Sequence, residues 1–183
     1  MAKKENDKKR KVLPRVFTTL FTLLYLGWIF SNSLATAQQS GEASGKVRDA
    51  VQKIVDFFFG KGQICVSHRF IRKAAHFSEF ALLGFLAFFM YDTYFSARKK
   101  ATAICAFLAA GTTLAGGAAD ECIQIFADGR GPSVFDAMID FAGGICGVFV
   151  ALAVFFIAKK VKNTYRRRFL QFCIFNLSTT LSK

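Results

Sequence analysis

Residues 101–124 read ATAICAFLAAGTTLAGGAADECIQ, and nineteen residues pass before the first charge, at Asp120. Coiled as a helix at 1.5 Å per residue, that uncharged run is roughly 29 Å long, enough to cross a hydrocarbon core of about 30 Å. It stops on two adjacent acids, Asp120 and Glu121. The stretch therefore reads as a membrane span whose far end carries charge.

The rest of the chain has the same block pattern. Hydrophobic residues make up 53% of the 183 and charged residues 20%, with 23 Phe against 2 Pro and a mean hydropathy of +0.33. A soluble domain carries about 25% charge, spread along its elements. Here the charge lies in the gaps between apolar blocks, which excludes a disordered chain, a collagen-like chain and a small disulfide scaffold. An ordinary soluble enzyme is excluded by the same pattern.

Three further blocks flank the quoted one. The first runs from Val16 past Leu34. It has the basic flank of a secretory signal peptide and a small-x-small stretch at Ala35-Thr36-Ala37, but it exceeds the roughly 7–15 apolar residues of a signal core, which favours a retained span. The second is Ala74–Tyr91 and the fourth Ala137–Ala158, reached through Ala127-Asp128-Gly129-Arg130-Gly131-Pro132. Between the first two blocks, Val47, Val51, Ile54, Val55, Phe58 and Phe59 recur at helical spacing among charged residues. That predicts a short amphipathic helix, ended by Gly60-Lys61-Gly62, lying on the bilayer or capping the bundle. The fold expected is an all-α polytopic bundle of about four transmembrane helices. Its divisions are a basic N-terminus (1–15), a transmembrane domain (16–158) and a basic tail (159–183).

The net charge of +13 comes from 25 Lys and Arg against 12 Asp and Glu. With four spans, 17 of the 25 fall on one side: the N-terminus, the loop Arg98-Lys99-Lys100 and the tail from Lys159. The positive-inside rule then predicts cytoplasmic termini. A nucleic-acid partner is not expected, because the basic residues flank spans and form no face interleaved with aromatics. Cys65, Cys105, Cys122, Cys146 and Cys173 show no paired spacing and read as packing residues.

This topology brings polar side chains from separate spans to one end of the bundle. Glu79 and Asp140 each fall roughly 10 Å inside it, by the helical rise. His76, Glu79, Asp120, Glu121, Gln124, Arg130, Asp136 and Asp140 are the candidate pocket residues, and they include five of the chain's 12 acids. Ionisable groups inside spans are costly and mark functional sites by default. Asp120 and Gln124, like Asp136 and Asp140, are i, i+4 neighbours; Gly143, Gly144 and Gly147 continue the second stripe and permit close helix packing. Structural glue, with Arg130 or Lys73 neutralising carboxylates, is the plain alternative. Two chemistries fit the cluster. Histidine with carboxylates can hold Zn, Mn or Mg, or move protons, while Arg130 suits an anionic headgroup. No catalytic signature decides between enzyme and binding protein, and no cofactor is specified.

At these residues the chain resembles the VanZ-like family of bacterial membrane proteins. The resemblance rests on Arg72-Lys73-Ala74-Ala75-His76-Phe77-Ser78-Glu79-Phe80 with Leu83-Gly84, on Asp120-Glu121-Cys122-Ile123-Gln124-Ile125-Phe126, on Gly129-Arg130, and on the Asp136–Gly147 segment. Trp28 to Ser33 also looks like the family's first span. Asp140 departs from the pattern, where the resemblance implies Asn in many relatives. It implies a multi-pass protein of the bacterial cell membrane, in a family named for teicoplanin resistance, with His76, Glu79, Asp120, Glu121, Gln124, Arg130 and Asp136 at its motif positions. The function expected is binding of a lipoglycopeptide or cell-wall lipid in an outer-leaflet pocket, contributing to glycopeptide resistance. The alternative is a membrane-embedded, metal-dependent enzyme acting on a lipid or lipid-linked substrate.

Overall fold

The computed structural model describes residues 2–95, 100–127 and 131–181, and within them the side chains of 12–36, 38–95, 100–127 and 131–166. Every regular element among the described residues is a helix: α1 (Ala2–Ser33), α2 (Ala37–Phe59), α3 (His68–Phe95), α4 (Ala101–Gln124) and α5 (Val134–Leu181). Four segments are long and apolar enough to cross a membrane, namely Val12–Ser33, His68–Phe95, Ala101–Gln124 and Val134–Arg166. The chain is an all-α polytopic membrane bundle, as its block pattern predicts. Phe17, Leu24, Phe107, Phe149 and Ile157 are left uncovered by protein, which suits a surface solvated by lipid tails.

α3 is the central helix and packs against all four others, most extensively against α5. The sequence explains that preference. A Cβ on Gly143 would fall on the backbone of Phe77, and one on Gly147 on the backbone of Ala81; across the same seam, a Cβ on Gly84 would meet the Gly144 carbonyl. The two helices thus lie backbone to backbone, the close approach that small residues permit in lipid. Only 11% of the apolar window of α1 is buried, against 28% for the other three, so α1 is the peripheral span.

Two apolar layers fill the bundle. Ile29, Phe80 and Leu83 form one, with Tyr25 and Leu26 packed around it. Ala87, Phe88, Cys105, Ala109, Val148 and Ala151 form the other, nearer the end where α3 gives way to α4.

α2 begins ten residues before the apolar recurrence at Val47. The reason is a capping box: Thr36 accepts from the Gln39 backbone N–H, and the Gln39 side chain accepts from Thr36 N–H. It ends at Gly60, whose φ of 91° and that of Gly62, 78°, are conformations glycine adopts without steric cost. Among the described residues α2 packs on α3 alone. Gln52 holds the return chain by accepting from Val66 N–H at 2.8 Å and donating to Ile64 O at 2.8 Å. At the other end, α5 does not break after Ala158. Its backbone stays helical to Leu181, and 48 residues rise roughly 72 Å, so its basic part projects beyond the hydrocarbon.

The seam makes a testable statement about single glycines. Gly147→Ala forces a methyl group onto the Ala81 backbone and should cost about 1–3 kcal/mol, the usual penalty of overpacking. Gly111→Ala, whose Cβ meets nothing within 4 Å, should be neutral or slightly stabilising. Thermal unfolding of both variants in detergent separates these outcomes.

Candidate functional site

One end of the bundle gathers the last turn of α1, the first turns of α3 and α5, and the last turn of α4. His76, Phe80 and Leu83 share a face of α3, so the imidazole lies one turn from the apolar layer and turns toward α4 and α5. Its side chain is 17% exposed, and Nδ1 stands 3.8 Å from Asp120 Oδ2 and 3.7 Å from Asp140 Oδ1. Both aspartates are buried, at 0% and 1% exposure.

Asp120 is held by two donors. Ser33 Oγ donates to Oδ1 at 2.5 Å and Gln124 Nε2 to Oδ2 at 2.9 Å, which ties α1 and the i+4 position of α4 to one carboxylate. Asp140 enters beside it because Gly117 lacks a side chain; a Cβ there would sit 3.2 Å from Asp140 Cβ. Neither carboxylate oxygen of Asp140 has a hydrogen-bond partner among the described residues. His76, Asp120 and Asp140 each offer a metal-ligating atom, and these atoms lie within 4.8 Å of one another.

The other candidate residues stand around this centre. Asp136, one turn before Asp140, pairs with Lys73 at 2.7 Å, and Lys73 also sits over the Phe135 ring. Glu121 Oε2 accepts from Ser133 N–H at 2.6 Å, bridging the end of α4 to the start of α5. Ser133 in turn caps α5, its Oγ accepting from Asp136 N–H. Glu79 points toward α1, where Asn32 Nδ2 donates to Oε1 at 3.2 Å and Tyr25 O–H to its backbone carbonyl. Arg130 lies outside the described residues.

Beyond this cluster opens a cleft of about 670 Å³ between α2, α3 and the end of α1. Ala43, Val47 and Val51 of α2 and Phe70, Ile71, Ala74 and Ala75 of α3 supply apolar walls. Asn32, His76 and Glu79 supply its polar, bundle-ward end, and Arg72 lines it too. Ser33, Asn32 and Arg72 are contributors that the candidate set omits. Their signals in the sequence were the polar pair Asn32-Ser33 closing an apolar run and Arg72 opening the Arg72–Phe80 motif.

The family model VanZ/LLP1 matches residues 17–157, from within α1 to within α5, and so reaches into all four spans and takes in the cluster. No curated protein and no solved structure matches the chain.

The hydrogen bonds of Asp120 predict an asymmetry between two substitutions. An asparagine there still accepts from Gln124 and can donate to Ser33, whose hydroxyl rotates to accept. Asp120→Ala removes the shared acceptor of Ser33 Oγ and Gln124 Nε2 and should cost about 1–3 kcal/mol, with Asp120→Asn costing less. Chemical or thermal unfolding in detergent micelles reads the difference.

Proposed function

We propose that this chain, which belongs to the VanZ/LLP1 family, binds an amphiphile, a lipoglycopeptide or a cell-wall lipid, in the cleft between α2 and α3. The observation that carries this reading is that one cleft combines apolar side chains of α2 and α3 with the charged or polar Asn32, Arg72, His76 and Glu79, Gln39 and three serines lining it too. An acyl or polyprenyl chain lies along Val47, Val51 and Phe70, and the headgroup meets Asn32, His76, Glu79 and Arg72. Arginine suits a phosphate or carboxylate because its planar fork donates to two oxygens at once.

The site belongs to the transmembrane domain of residues 16–158, and the basic segments 1–15 and 159–183 hold their end of the bundle at the cytoplasmic face of a bacterial cell membrane. Support comes from the sequence, where the N-terminus, the loop at 98–100 and the tail hold 17 of the 25 basic residues. The cleft then opens to the outer leaflet, where glycopeptides and lipid-linked wall precursors are met. Sequestering such a ligand there accounts for a contribution to teicoplanin-type resistance. A second reading, a lipid-modifying enzyme, is favoured by one observation: His76 lines the cleft and also faces Asp120 and Asp140.

Two measurements check these statements. The chain has a single tryptophan, Trp28, one turn from Asn32, and its fluorescence should report titration with teicoplanin or with a polyprenyl phosphate in nanodiscs. Arg72→Ala should weaken binding roughly tenfold or more, a charge-assisted hydrogen bond being worth about 1.5–3 kcal/mol. Val51→Asp should abolish it, and unchanged titrations in both variants would refute the cleft as the site. Consumption of the polyprenyl phosphate during the titration would favour the enzyme.

For orientation, the exposed Cys65 serves as the reporter in a variant lacking the other four cysteines. An impermeant maleimide should label it in intact cells and should not label a cysteine placed at Lys100. The reverse pattern would turn the cleft inward.

A further inference from the structure

Two carboxylates brought together in a dry interior require a cation or a proton between them. Lys73, on the same helix as His76, is already engaged by Asp136 at 2.7 Å. The geometry points to a site for one divalent transition-metal ion of the Zn²⁺ type, bound by His76 Nδ1, an Asp120 oxygen and an Asp140 oxygen. This inference stands apart from whatever occupies the cleft.

Distance, charge and support argue for it together. Nδ1 lies 3.7 and 3.8 Å from the two carboxylate oxygens, too far for a hydrogen bond. It is close to the roughly 3.4 Å that separates two ligands of a tetrahedral zinc with bonds of about 2.1 Å. Two aspartates and a neutral imidazole around a divalent ion sum to zero charge, the balance an apolar bundle favours. A protonated His76 would leave one negative charge over. Asp140 is 1% exposed and its oxygens have no hydrogen-bond partner among the described residues, so its lone pairs face the gap. Asp120 shows the outer support that ligating carboxylates carry, since Ser33 and Gln124 donate to its two oxygens and fix its plane. The donor set also selects the ion. Calcium takes six to eight oxygens and magnesium an octahedron of oxygens and waters, whereas imidazole with carboxylates suits zinc and its first-row neighbours. Three protein ligands leave a fourth position for water or a ligand atom. His76 lines the cleft, which gives the ion its entry path.

The full chain, purified in detergent without an oligohistidine tag and stripped with chelator, tests the site with Zn²⁺ and with Co²⁺ as a coloured substitute. The expected result is one ion per chain by elemental analysis, a Zn²⁺-dependent rise in unfolding temperature, and tetrahedral-type visible bands for Co²⁺ that Zn²⁺ displaces. Asp140→Asn and His76→Gln should lose the bands, and Ser33→Ala should weaken affinity roughly 10- to 100-fold. Asp136→Asn, which removes only the partner of Lys73, should bind as the parent does. Absence of stoichiometric binding in the parent chain overturns the site, a result that does not depend on any variant folding. So does binding that survives unchanged in Asp140→Asn. Amphiphile titration of the stripped protein is scored separately, so failure of one reading leaves the other standing.

Discussion

The contact on which the rest of the structure depends is the seam where Gly143 and Gly147 lie directly on the backbone of α3 at Phe77 and Ala81. Two helices that meet backbone to backbone cannot rotate about their axes without collision. Asp140 stands one turn before Gly143 and Gly144, and His76 immediately precedes Phe77, so the seam sets the carboxylate opposite the imidazole. Gly117 does the equivalent for α4, leaving the space Asp140 occupies beside Asp120. Small residues thus determine the placement of the charged ones.

The acids at this end divide by their burial and their partners. Asp136 and Glu121 are engaged locally, by Lys73 and by the first turn of α5, and their pairings fasten loops and helix ends. Glu79 joins α3 to α1 through Asn32. Asp120 and Asp140 are the most fully buried, at 0% and 1% exposure, and of these two only Asp120 has hydrogen-bond donors among the described residues. Structural glue is therefore an adequate account of Glu79, Glu121 and Asp136 and a poor one for Asp140.

The blocks and their order were legible because a span needs about 20 apolar residues and four such stretches stand out plainly. Convergence at one end followed from connectivity alone, and the Asp120–Gln124 pairing from the helical repeat. Three features were not legible, each for a physical reason. That Lys73 meets Asp136 while His76 approaches Asp140 depends on the register of α3 against α5, which packing sets and spacing within one helix does not. The start of α2 was hidden because Thr36 and Gln39 form a capping box inside a stretch whose small residues also read as a cleavage site. Ser33 and Asn32 were overlooked because short polar residues at the end of an apolar run look like a boundary, until a carboxylate from another helix is found against them.

The layers beneath the polar cluster carry a consequence of another kind. Ile29, Phe80 and Leu83, and below them Phe88 with its neighbours, close the bundle interior under His76 with apolar side chains. Among the described residues the polar side chain buried beside these layers is Thr113, whose hydroxyl donates to the Ala110 carbonyl of its own helix, so an ion or proton entering from the cleft would meet mainly apolar side chains beneath the cluster. The bundle can thus keep a charged centre open to one face of the membrane without short-circuiting the voltage across it. A centre so placed, if occupied, would exchange with the compartment the cleft faces, and its occupancy would follow the chemistry of that compartment.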